Sequence, residues 1–259
     1  MRELVRAARK FNEAAHVPLV CADARVGWLR RAHAQKLLRW PYIFKRGAQG
    51  VTIAESLKTA AGRTAAINDV VHALHAEGAI SGWRDERYVV STAFDAPPLF
   101  DIERAAARFF GTTTYAAHAN GYCGEDMWLA RRAATKPIDP NLLDNLVGGG
   151  MCAGVSPLAT IVREAWEEAG IPQPLAVRAQ STDTLEVLRE VPEGVQSEVI
   201  FVFDLELPPD FVPHSEDGEV VEFRRLPFTR AFDIADGKLM TLDASLVAQH
   251  FLQRRARGT

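Results

Sequence analysis

Apolar and polar positions alternate along this chain with two periods, and each change of period marks an element. The opening stretch, MRELVRAARKFNEAAH, mixes charge with apolar residues. It predicts an amphipathic helix and lacks the continuous apolar run of a signal peptide. HVPLVCADARVGWL (16–29) alternates as strands do, with a turn near Asp23. RRAHAQKLLRWP (30–41) predicts a short helix stopped by Pro41, and GVTIA (50–54) a strand. In RTAAINDVVHALHAEG (63–78), Ala66, Val70, Val71 and Leu74 fall near helical spacing, and Gly78 ends the run. SGWRDERYVVST (81–92) returns to strand. DAPPLFD (95–101) has no helical period, and its Pro97-Pro98 pair predicts a boundary between a small α/β domain, 1–97, and a second domain, 98–259.

The second part opens with DIERAAARFFG (101–111), which reads as a helix ending at Gly111. TYAAHANGY and MWLARRA predict a pair of strands, and LLDNLVGG leads into a glycine run. SEVIFVFDLEL and EVVEFRRL are further strands, and DASLVAQHFLQRRAR a closing helix. Strands and helices mixed in this order predict a layered α/β/α sandwich. No internal repeat or low-complexity segment interrupts them.

The chain has 259 residues, 47% of them apolar and 24% charged, which suits one large domain or two smaller ones. Its formal net charge of −3 gives no electrostatic case for a nucleic-acid binder. No apolar run is long enough to span a bilayer. The cysteines, Cys21, Cys123 and Cys152, are few and form no Cys-x-x-Cys pair, so neither a zinc site nor a disulfide framework is expected. A reducing cytoplasm is the simplest compartment.

The chemistry concentrates in GGGMCAGVSPLATIVREAWEEAGI, from Gly148 to Ile171. Ser156 suits a helix N-cap, Pro157 the first helical position and Gly170 the stop. Leu158, Ile161, Val162, Ala165 and Ala169 form one apolar stripe. Glu164, Glu167 and Glu168 fall off it, and like charges three or four residues apart cost roughly 0.2–0.5 kcal/mol per pair. Arg163 offsets part of this through Glu167. Such a group is either a solvated face or a site for a hard cation such as Mg²⁺ or Mn²⁺, which prefers carboxylate and carbonyl oxygens. The glycine run before it, Gly148 to Gly150, lets backbone groups approach a ligand closely, which favours the cation site.

The spacing of Gly149, Arg163, Glu164, Ala165, Glu167, Glu168, Gly170 and Ile171 resembles the Nudix box. One position departs, since Val155 stands where that box usually has its first glutamate. SGWRDERYVV, TTYAAHANGY, MWLARRAATKPIDPNLLDNLVGGG and DGEVVEF resemble a Nudix branch related to the Nudix portion fused to thiamin pyrophosphokinase in some fungi, and to plastid Nudix proteins of plants. Members of that branch carry an extra N-terminal domain and commonly replace the first glutamate. The resemblance implies a Nudix α/β/α sandwich with a mixed sheet, preceded by a small α/β domain. It also implies metal-dependent hydrolysis of a diphosphate, with thiamin diphosphate or its oxidised and damaged analogues as substrate. A nucleoside-diphosphate-type pyrophosphatase and a non-catalytic ligand sensor are the alternatives.

Carried onto this chain, the box makes Glu164, Glu167 and Glu168 metal ligands beside the Gly148 carbonyl, with Arg163 in the catalytic core. Glu219, with Glu222 next, is the candidate for a further ligand or base. Arg131, Arg132 and Lys136 are candidate phosphate contacts, and strand alternation predicts that only one of the two arginines faces the site. His118, Asn120 and Tyr122 alternate onto one face as candidate pocket residues or structural polar groups. Trp83, Arg84 and Glu86 could clamp a substrate or anchor the domain interface, while Trp128 and Trp166 are expected to pack. The expected partner is a small diphosphate, with no nucleic acid and no membrane; a homodimer is left open.

Overall fold

The structure, a computed structural model, describes residues 2–258. The first unit has helix α1 (Arg2–Ala8), strands β1 (His16–Cys21) and β2 (Ala24–Arg30), helix α2 (Arg31–Leu37), strands β3 (Phe44–Arg46) and β4 (Val51–Ile53), and the long helix α3 (Ala60–Ala76). Its four-stranded sheet runs β2-β1-β4-β3. Thr59 caps α3 by accepting from the Gly62 N–H, and Ile67, Val70, Val71 and Leu74 bury its inner face.

A two-stranded ribbon follows, β5 (Arg87–Val90) against β6 (Phe100–Glu103), and then the single turn α4 (Ala107–Phe110). The helix expected over 101–111 is therefore only its last turn. Phe100 and Ile102 alternate into the first unit's core, each fully buried, and that burial holds residues 100–103 as strand. The same core continues through Phe109 and Phe110, so residues 99–110 pack with the first unit, past the boundary expected after residue 97.

The second unit carries β7 (Thr113–Cys123), β8 (Asp126–Arg132), β9 (Leu143–Asn145), β10 (Val147–Gly150), α5 (Pro157–Ala169), α6 (Gln173–Ala176), β11 (Gln180–Val191), β12 (Gly194–Glu206), β13 (Val220–Pro227), α7 (Phe228–Ile234) and α8 (Leu242–Arg257). Its seven-stranded sheet runs β11-β12-β7-β8-β13, with β10 paired to β7 and β9 to β8. The sheet is mixed, because β12 and β7 run parallel while the other pairs are antiparallel. Ala117 and Ala119 of β7 pack with Ile161, Ala165 and Ala169 of α5 on one face. Ala116, Ile200 and Val202 meet Leu246 and Val247 of α8, and Leu4 of α1, on the other. This is the expected three-layer sandwich. None of the described helices is long and apolar enough to cross a membrane.

The two units meet closely. The Trp28 N–H donates to the Gly111 carbonyl at 3.1 Å, and Arg30 donates to the Pro192 carbonyl at 2.8 Å, in the turn between β11 and β12.

Candidate active site

Strand β10 positions the site. The Met151 N–H bonds the Tyr115 carbonyl at 2.8 Å, whereas the Gly148 N–H turns away from β7 and donates to Glu168 Oε2 at 2.9 Å. In an antiparallel ladder a residue's N–H and C=O share a side, so the Gly148 carbonyl also points off the strand edge toward α5. Helix α5 begins as its sequence predicts, with Ser156 Oγ accepting from the Ala159 N–H at 3.2 Å and Pro157 at the first position. Gly170 ends it at φ +62°, and a Cβ there would lie 2.3 Å from the His214 ring. Ile161, Ala165 and Ala169 are buried as expected, but Leu158 is 38% exposed and Trp166 50% exposed, so neither packs into the core. Both sit on the turns of α5 that face away from the sheet.

The carboxylates divide by burial. Glu168 is 9% exposed, and burial together with the charge of Glu164 pushes its pKa well above the usual carboxylate range, against the pull of the Gly148 N–H. Glu164 is pushed up to about 7, first by burial, against the opposing charge of Arg163. Its side chain fills the space a Cβ on Gly149 would need, since that atom would stand 2.2 Å from Glu164 Oε1. Arg163 donates to Glu164 at 2.6 Å and to Glu167 at 3.2 Å, and Glu167 is the more exposed of the two.

Glu219 is ion-paired with Lys136. Burial would raise its pKa, but the Lys136 bond and the charges of Lys136, Arg84 and Arg132 outweigh burial and hold it low. Arg132 pairs with Asp144 at 2.8 Å, and Asp144 acts through space on Glu168. Arg131 instead reaches Glu222 and the Asn141 carbonyl. Alternation thus sends Arg132 toward the acidic group, as expected of one arginine, while Arg131 is held by one ion pair and one carbonyl. Glu222 is held down at about 2 by its bonds to Arg224 and Arg131.

The structure does not bring His118, Asn120 and Tyr122 to this group. Their strand face is the one covered by α8, opposite α5. Asn120 is buried and donates to Asp204 at 3.1 Å; His118 bonds Asn145 Oδ1 at 2.9 Å; Tyr122 lies under the Arg255 guanidinium and beside Phe251. Trp83 packs on His72 and His75, which makes it an anchor within the first unit.

Three neighbours escaped sequence reasoning. Tyr88 of β5 places its hydroxyl against Gly150. Arg104 pairs with Glu86 at 2.7 Å and acts electrostatically with Glu164. Asp144 lies on β9. No local motif marks any of them; only the pairing of β5 with β6 and of β9 with β8 brings them in.

Among the described residues no three Asp, Glu, His or Cys side chains converge as a ready-made metal cage. The reason is visible: Arg163 holds Glu164 and Glu167, and Lys136 holds Glu219. The chemistry of the donor set still fits a hard divalent ion. It is oxygen only, and the charge of Glu164 raises Glu168 while those of Glu167 and Glu219 raise Glu164, so a cation among them would relieve a real repulsion.

A mixed sheet sandwiched between helices, with a glycine strand feeding an acidic helix, defines a Nudix-type hydrolase. The NUDIX domain profile matches residues 116–248, and the profile described as domain of unknown function (DUF4743) matches residues 1–114. Nudix hydrolase 20, chloroplastic, of Arabidopsis thaliana is 35% identical over 263 residues, covering 96% of this chain and 70% of that protein. Nudix hydrolase 24, chloroplastic, of the same plant is 37% identical over 256 residues, with the same shares covered. The crystal structure of MutT protein from Methanosarcina mazei Go1 superposes with a TM-score of 0.42 at 19% identity, covering 56% of this chain and 94% of that one. The chain belongs to the Nudix family, whose enzymes generally need divalent metal ions.

Proposed function

We propose that this chain hydrolyses thiamin diphosphate, or its oxidised or damaged analogues, to the monophosphate and phosphate with Mg²⁺ or Mn²⁺. The observation that carries the reaction class is the placing of half-buried Glu164 against Gly149 and of buried Glu168 against the Gly148 N–H on the free edge of the same strand. The substrate rests on the segments that resemble the thiamin-linked Nudix branch.

Glu164, Glu167, Glu168 and the Gly148 carbonyl would hold the ion. When bound, the ion neutralises the diphosphate and lowers the pKa of water. Arg163 keeps Glu164 and Glu167 in place until they are recruited. Glu219, in the bend just before β13, is the further ligand or the acceptor of the water's proton. Lys136 and Arg132 supply positive charge beside it. Water attacks phosphorus in line; its P–O bond forms as the bridging P–O bond breaks, and phosphate leaves.

Phosphate release from a panel of thiamin diphosphate derivatives, ADP-ribose, NADH and damaged dNTPs tests this. Turnover of a thiamin derivative above the others is expected. Hydrolysis confined to the nucleotides overturns the substrate. A second reading, a sensor that binds without cleaving, is favoured by Val155 at the box position usually held by glutamate. Calorimetric binding of a diphosphate without turnover in Mg²⁺ or Mn²⁺ would establish it.

A further inference from the structure

A cavity of about 240 Å³ lies where the two units meet. That is roughly eight waters' worth of liquid volume, the bulk of a small aromatic ring system. The first unit contributes Tyr88, Arg104 and Arg108, and the second Thr114, Ile138 and Glu198.

The cavity is polar in a graded way. Its cationic side adjoins the acidic site: Arg104 acts electrostatically with Glu164, and Arg84, which also lines the cavity, acts on Glu219. Tyr88, whose hydroxyl touches Gly150, links this side to the strand that feeds α5. A second part of the wall is acidic and lies on the sheet face that also carries His118, reached around the free edge of β10. Glu198 Oε1 accepts from Thr114 Oγ1 at 3.2 Å and Oε2 from Gln196 Nε2 at 2.8 Å. The same Gln196 amide donates to Asp243 at 2.9 Å. A carboxylate offers about four acceptor sites, so Glu198 retains capacity. Among the described residues none of the close ion pairs involves Glu198, and the positive charges that act on it, Arg108 in the cavity wall and His118, do so without a direct bond. An acid in this state calls for a ligand that donates hydrogen bonds or carries positive charge.

We propose that this cavity takes the heterocycle of the diphosphate substrate, and that Glu198 selects an amino-substituted or cationic nitrogen heterocycle by accepting its hydrogen bonds. The arginine side then points the diphosphate toward Glu164 and Glu168. The assignment rests on the diphosphatase reading of those acids. It gives the N-terminal unit a task, since half of the pocket wall belongs to it.

The test uses the full chain, with the heterocyclic diphosphate that turns over best and with methyl diphosphate, which has no ring. The variants are Glu198→Ala and Ser81→Trp. Ser81 is an exposed residue of the first unit that lines the cavity, so a Trp there obstructs the pocket without disturbing a core. Both variants are expected to raise KM for the heterocyclic substrate about tenfold to a hundredfold, with kcat within about twofold. Hydrolysis of methyl diphosphate should stay unchanged. Equal losses on both substrates, or an unchanged KM on the ringed one, overturn the proposal. If Glu198→Ala does not fold, Ser81→Trp decides by the same criteria. Should no diphosphate be hydrolysed, the diphosphatase reading falls, and calorimetry with free thiamin and adenosine decides for the cavity. Binding by the wild type that the variants lose supports it; no binding by the wild type overturns it.

Discussion

Gly149 carries no side chain because Glu164 occupies the space one would need. Its backbone is extended, so alanine brings no dihedral strain, and the whole effect of Gly149→Ala must come from contact. The added Cβ would meet Glu164 at Oε1, Cδ and Cγ, between 2.2 and 2.7 Å. The carboxylate has to move by about an ångström, and displacements of that size cost on the order of a hundredfold in rate. We expect kcat to fall by about that factor while the melting temperature stays near that of the wild type. An active Gly149→Ala enzyme would remove Glu164 from the reacting group. Glu168→Gln keeps shape and burial but removes the carboxylate that would hold the ion. Its turnover should drop below detection while circular dichroism is unchanged.

At the scale of elements, α5 and the β8–β13 pair offer the cleanest readouts. Ser156→Ala removes the bond to the Ala159 N–H and should cost about 1 kcal/mol, a shift of about 2–4 °C in a domain of this size. Glu222 joins β13 to β8 through Arg131 and to its own strand through Arg224. Its folded pKa of about 2 lies below the ordinary 4.5. A depressed carboxylate contributes stability that is present above the ordinary value and lost as pH falls toward the folded one. Between about pH 4.5 and 2, thermal melts of the wild type should therefore fall more steeply than those of Glu222→Gln. Parallel curves would show that the strand pairing does not depend on this acid.

The same scale shows what the sequence makes legible. Elements with one buried stripe declare their period, as α3 and α5 do, and β12, buried on both faces, declares itself as a continuous apolar run. Strand β11 is silent because it lies at the sheet's edge, burying Val187 and Val191 and presenting polar residues over most of its length. Residues 100–103 mislead, since their neighbours have helical composition while Phe100 and Ile102 are claimed by a core built mostly from earlier residues. The acidic helix and its glycine strand are continuous in sequence and so are readable together. Tyr88, Arg104 and Glu198 come from three separate stretches, and no spacing rule reaches across them.

For the whole molecule, the acidic group couples an ion to stability. In its absence burial raises the pKa values of half-buried Glu164 and buried Glu168, while Arg163 holds Glu164 and Glu167 and Lys136 holds Glu219. An ion that binds only the folded chain stabilises it by about 2.7 kcal/mol when present at a hundredfold its dissociation constant. Mn²⁺ or Mg²⁺ should therefore raise the melting temperature of the full chain in a concentration-dependent way, without any substrate. Glu168→Gln should abolish most of that rise, because the buried ligand is lost while the exposed acids remain. Glu222→Gln, far from the box helix in its bonding, should keep it. A rise of equal size in all three proteins would mean that the ion acts elsewhere on the surface. No rise in the wild type would mean that Arg163 and Lys136 hold their acids too firmly for an ion to enter before the diphosphate does.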